Sequence, residues 1–156
     1  MMGADAEHQT WVDIIKITEA KGNYPRLDWD LFHVSHHCSY TGVSATKGTT
    51  ETVPREEIAR LFDRGSANCI VISPSKPIPD GDTDQPPHRQ TAAFYRRVAR
   101  EKGRESNFVV TMEWPSVSQP RPIVVEVSSN GLTIKKDYTA IAGIATVTRT
   151  PSPRFG

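Results

Sequence analysis

The chain has no apolar run near the roughly 20 residues that a membrane-crossing helix needs, so nothing in it reads as a membrane span. Cysteine is almost missing, with 2 among 156 residues, which excludes a disulfide-stapled scaffold. The opening residues, Met1 to Glu7, lack the basic-then-apolar pattern of a secretion signal. A cytoplasmic location with two free thiols is therefore expected. Charge of one sign is also lacking: 19 basic and 18 acidic side chains leave +1. That balance gives no electrostatic case for nucleic acid or for an anionic membrane. Apolar residues reach only 37%, while proline reaches 12 residues, which points to a modest core with long loops. The H-E-x-x-H and C-x-x-C spacings of metal sites are absent too.

What is present gathers in one stretch, Asp30-Leu31-Phe32-His33-Val34-Ser35-His36-His37-Cys38-Ser39-Tyr40. It opens as a buried strand and closes on two adjacent histidines, a thiol and a serine. Imidazole and thiolate are the usual ligands of zinc and similar metals. A strand ending in such groups delivers them to the rim of a sheet, where open α/β folds place their sites. Along an ideal strand His33 and His37 share a face but stand about 13 Å apart, too far to share an ion. His36 and His37 point to opposite faces unless the chain turns there. One or two of these groups can reach one metal, and further ligands must come from elsewhere. A packed or surface histidine pair is the plain alternative.

Along the chain, residues 1–8 read as a loose lead-in. An apolar stripe of Trp11, Ile14, Ile15 and Thr18 predicts a helix from Gln9 to about Lys21, with Thr10 as N-cap and Gly22 as the stop. A strand follows from about Leu31 to Ser35. The Ser-, Thr- and Gly-rich segment 39–52 is a functional loop or a solvated excursion. Pro54-Arg55-Glu56-Glu57 starts a second helix that Gly65 ends. Asn68 to Ser73 is a second buried strand, and strand–helix–strand in this order makes a parallel pair. Asp80, Asp82 and Asp84 alternate in a proline-rich loop without the glutamate of a calcium loop, so a solvated loop is the preferred reading. Pro86-Pro87-His88 starts a third helix to about Lys102, with Ala92, Ala93, Tyr95, Val98 and Ala99 inward and a basic outer face. His88 is an ordinary cap neighbour or a residue at the site rim. Asn107 to Glu113 is the third strand, and 123–135 is a hairpin about Asn130-Gly131. Residues 138–156 read as a flexible tail.

The run Phe32-His33-Val34-Ser35-His36-His37-Cys38-Ser39 resembles the late motif of the metallo-β-lactamase superfamily. The branch it most resembles is the hydrolase domain of bacterial competence DNA-uptake proteins, where a strand ends in Leu-Lys-Val-x-His-His-Gly-Ser. Ser73-Pro74, Pro87-His88 and the closing hairpin look like the same branch, and the match spans most of residues 9–136. The resemblance implies an α/β fold: the C-terminal half of an αββα sandwich, with a mixed sheet, three helices and a hairpin. It implies a zinc-dependent hydrolase in which His37 is the late ligand and His36 a ligand or its neighbour. Cys38, Ser39 and His88 would then line the rim. Cys38 stands where that branch has glycine.

The family's His-x-His-x-Asp-His is absent, and no Gly-Asp precedes residue 30. The domain at 9–137 therefore looks like a partial one, inactive as this chain alone and binding zinc weakly or not at all. The implied partner is an N-terminal half-domain, or a second copy met through a bare apolar sheet face. A non-catalytic partner-binding module of the same fold is the alternative. A third reading makes Cys38 a nucleophile with His36 or His37 as its base.

Overall fold

The computed structural model describes residues 1–129 and 131–135. The expected tail at 138–156 and the turn residue Asn130 lie outside them. Three helices, α1 (His8–Ala20), α2 (Glu56–Asp63) and α3 (Arg89–Glu101), alternate with strands β1 (Trp29–His33), β2 (Gly65–Ser73) and β3 (Phe108–Val110). The strands form a parallel sheet in the order β1-β2-β3. A hairpin of β4 (Val125–Ser128) and β5 (Gly131–Ile134) follows as a separate antiparallel pair. The α/β expectation holds, but the sheet expected to be mixed divides into a parallel sheet and a hairpin.

Alternation along the strands decides what each face meets. Phe32 and Val34, Cys69 and Val71, and Phe108 and Val110 join one buried cluster with the apolar faces of the three helices. An aromatic chain runs through it. Phe62 touches Trp29, Phe32, Phe94 and Tyr95 at ring-centroid distances of 5.5, 4.7, 5.1 and 5.5 Å. Sequence periodicity misses Phe94, which is buried, and places Ala93 inward although it is half-buried. Ile70, Ile72 and Val109 are buried outside that cluster. The bare second face expected from the sequence is thus not bare. Leu132 and Ile134 of the hairpin and Trp114 stand with Ile70 around a shared cavity.

Residues 1–8 are not a loose lead-in. Met2 pairs in parallel with His33; Gly3 N–H donates to the His33 carbonyl at 2.8 Å, and His33 N–H to the Met1 carbonyl at 2.9 Å. Gly3 permits this approach, because a Cβ there would lie 2.4 Å from Ser35 Oγ and 2.7 Å from the His33 carbonyl oxygen. A glycine in a short opening of mixed residues carries no periodic signal, so the contact is invisible in sequence. The helix begins at His8 with Glu7 as N-cap, not Thr10. Gly22 does stop it, at φ +68°, with its N–H on the Glu19 carbonyl. Gly65 opens β2 rather than closing α2, against the Trp29 ring. The third strand ends at Val110, because Glu113 N–H folds back onto the Val110 carbonyl at 3.0 Å.

Phe62→Ala should destabilise the fold by about 3–5 kcal/mol, the range for deleting a large aromatic from a packed core. Val127→Ala, at a side chain 78% exposed, should change little. Urea denaturation of the two variants tests the assignment, and similar midpoints would contradict it.

Candidate functional site

The carboxyl ends of β1 and β2 and the start of α3 meet at one edge of the sheet. After Val34, whose N–H extends the ladder to the Ile72 carbonyl at 2.9 Å, the chain reverses hand. His36, His37 and Cys38 have φ of +53°, +54° and +66°. Three consecutive non-glycine residues in the left-handed region are unusual, and each costs about 1–2 kcal/mol. Cys38 N–H donates to the Ser35 carbonyl and Ser39 N–H to the His36 carbonyl, which closes the turn. In such a turn successive side chains fan out by about 100°, as in a helix, rather than flipping between sheet faces.

The turn is held from three sides. His36 N–H donates to the Ala4 carbonyl at 2.8 Å, and His88 N–H donates to the Cys38 carbonyl at 3.1 Å. Beneath it the buried Cys38 thiol bonds the Ser73 side chain, and Ser73 and Ser75 share a hydroxyl contact of 2.8 Å. Burial pushes the Cys38 thiol up to about 12, against the weaker lowering by Ser73 and Arg96. It is fully buried and presents no surface from which the thiol could reach a substrate. Cys69 is buried too, pushed up by burial to about 11, and both cysteines are free.

Hydrogen bonds fix the tautomers of the rim histidines. A carbonyl can only accept, so Nδ1 of His37 carries the proton it gives to Pro74 O at 2.7 Å. The same argument protonates Nδ1 of His8, on Thr41 O at 3.1 Å. Thr41 Oγ1 donates to Ser39 Oγ at 3.0 Å, so at 3.3 Å it accepts from His36 Nδ1. His8, His36 and His37 therefore each keep a lone pair on Nε2. His88 is the opposite case. Its Nδ1 accepts from Tyr40 N–H at 3.4 Å, which leaves the proton on Nε2. That atom is buried and makes no hydrogen bond of full geometry, although the Asp84 backbone favours the charged ring, and the ring stands 5.1 Å from Tyr40.

The structure thus brings an exposed His37 and a half-buried His36 to the rim, with Ser39 buried as an acceptor below them. His88 supports the rim from inside, as the N-cap residue of α3, and offers no free lone pair. Sequence reading missed His8, which bonds the Thr41 carbonyl, and the Met1–Gly3 pairing with β1 that brings the Ala4 carbonyl to His36 N–H. Among the described residues no group of three or more His, Cys, Asp or Glu side chains could hold a metal ion.

The remaining features resolve plainly. Asp82 accepts from Arg89 and Gln90 at 2.8 and 2.6 Å, so it is engaged within the protein. Three arginines of the basic α3 face are engaged in ion pairs, Arg89 with Asp82, Arg97 with Glu51 and Glu101, and Arg100 with Glu105. The 39–52 segment is strapped down, through Thr52 N–H on Gln90 O and Arg55 N–H on Val43 O. Among the described residues no helix is long and apolar enough to cross a membrane. Comparison with protein-family models, with curated proteins and with solved structures found no match.

Burial lowers the His88 imidazole below its usual range, helped by Lys47 and opposed by Asp82, Asp84 and the Asp84 backbone. Below about pH 6.5 the unfolded chain binds a proton that the folded ring resists. Its contribution to stability is therefore present above about pH 6.5 and is lost as pH falls toward the folded value. His33, lowered by burial, by His37 and by the terminal amine, acts in the same direction. His88→Asn keeps an acceptor for Tyr40 N–H without the titration. Between pH 7.5 and 5 the variant should lose less of its urea midpoint than the parent, and equal losses would refute the buried neutral ring.

Proposed function

We propose that these residues carry the later half of a metal-dependent hydrolase domain of the metallo-β-lactamase kind, and that His36 and His37 donate imidazole nitrogen to its zinc. One observation carries the reading: adjacent histidines sit in a strained left-handed turn with both Nδ1 protons engaged. Backbone strain of this kind persists where the surroundings enforce it, and such places cluster at functional sites. An Nδ1–H fixed on an oxygen is also the usual arrangement for a histidine that binds metal through Nε2.

The donor chemistry fits zinc, but the number does not. A catalytic zinc takes about three protein ligands and leaves a position for water, and the described residues form no such set. The missing ligands are assigned to a His-x-His-x-Asp-His segment, which this sequence does not contain, and no hydrolytic step is assigned to these residues alone. The implied partner is the half-domain that carries that segment. Self-association through a bare sheet face has less support, since Ile70, Ile72 and Val109 are covered. The same burial weakens the partner-binding reading, and the burial of Cys38 weakens the nucleophile reading.

Calorimetric titration with zinc tests the proposal on the chain as it stands. Weak binding is expected, reduced by about tenfold or more in His36→Ala and in His37→Ala, with no phosphodiester hydrolysis. Binding unchanged in the double histidine variant would overturn it.

A further inference from the structure

The hairpin does not close tightly on the second face of the sheet. It leaves a cavity of about 390 Å³, far from the interior packing that protein cores maintain and inside the range of small-ligand sites. Ile70, 2% exposed, belongs to its apolar part, together with Trp114, Leu132 and Ile134. Asn68, Arg104, Ser106 and Thr133 add polar side chains, and all four residues are exposed to solvent. None of these four side chains makes a hydrogen bond or ion pair within the described structure, whereas Arg60, Arg64, Arg89, Arg97 and Arg100 are all in ion pairs. An apolar part, an indole and one uncompensated guanidinium select a flat apolar body with one anionic group.

We propose that this cavity is a binding site for a small aromatic anion, with Arg104 holding the anionic group and Trp114, Leu132 and Ile134 contacting the ring system. The site lies on the face of the sheet opposite the helices. It stands apart from the histidine rim and does not depend on the metal reading.

2-Naphthoate is a suitable probe and 2-naphthamide its neutral counterpart, with binding followed by the indole N–H signals in proton–nitrogen NMR spectra. Trp11 and Trp29 serve as internal references, because their indoles bond Ser35 Oγ and Leu61 O in the core. Naphthoate should move the Trp114 signal saturably and leave the other two in place. Naphthamide should bind about tenfold more weakly, as should naphthoate to Arg104→Gln. Thr133→Trp, at an exposed hairpin position, should fill the cavity and abolish the shift while the two reference signals stay. Equal binding of acid and amide, retention of affinity in Arg104→Gln, or no saturable Trp114 shift would each overturn the proposal.

Discussion

Backbone hydrogen bonds that hold residues 36–38 left-handed are what the rest of the rim depends on. The three residues together carry about 3–6 kcal/mol of conformational cost. Four bonds oppose it: His36 to Ala4, Cys38 to Ser35, Ser39 to His36 and His88 to Cys38. At about 0.5–1.5 kcal/mol net apiece they supply about 2–6 kcal/mol. The turn is therefore near balance on backbone terms. Burial of Cys38 in the core and its bond to Ser73 tip it toward the observed shape. Two of the four partners, Ala4 and His88, belong to distant parts of the chain, so the turn exists only when the whole fold does.

That dependence explains the architecture around it. The Met1–Gly3 strand brings Ala4 to His36, and the β2 end brings Pro74 to His37. The cap of α3 brings His88 to Cys38. The aromatic chain through Phe62 fixes the helices against the sheet and so fixes that cap. The His36 and His37 imidazoles are thus mounted on a turn that the surrounding elements hold in place. His88, buried as the N-cap residue of α3, is structural support for the rim.

Period and punctuation made the sheet and helices legible in the sequence: the stripe at Trp11, the buried run at Asn68–Ser73 and the prolines before α3 all land within a few residues. The strand end at Phe32–Val34 correctly located the histidines at a sheet rim. What stayed hidden was set by tertiary contact. Gly3 looks like any opening glycine until Ser35 lies against it. The hand of the 36–38 turn runs against intrinsic preference, so no propensity could announce it. Cys38 looked reactive beside two histidines, yet its direction into the core makes it inert. His88 reads in the sequence as a cap neighbour or a rim residue; it is the N-cap of α3, and its tautomer follows from a Tyr40 N–H that only the folded chain supplies.

The claim on which the account rests is that two adjacent imidazoles present free Nε2 lone pairs from one fixed turn. Long-range proton–nitrogen NMR of the imidazoles reads this directly at neutral pH. The account predicts Nδ1-protonated His36 and His37, Nε2-protonated His88, and zinc-induced shifts confined to Nε2 of His36 and His37. Nε2-protonated rings at 36 and 37, or tautomers averaged as in a free peptide, would contradict it.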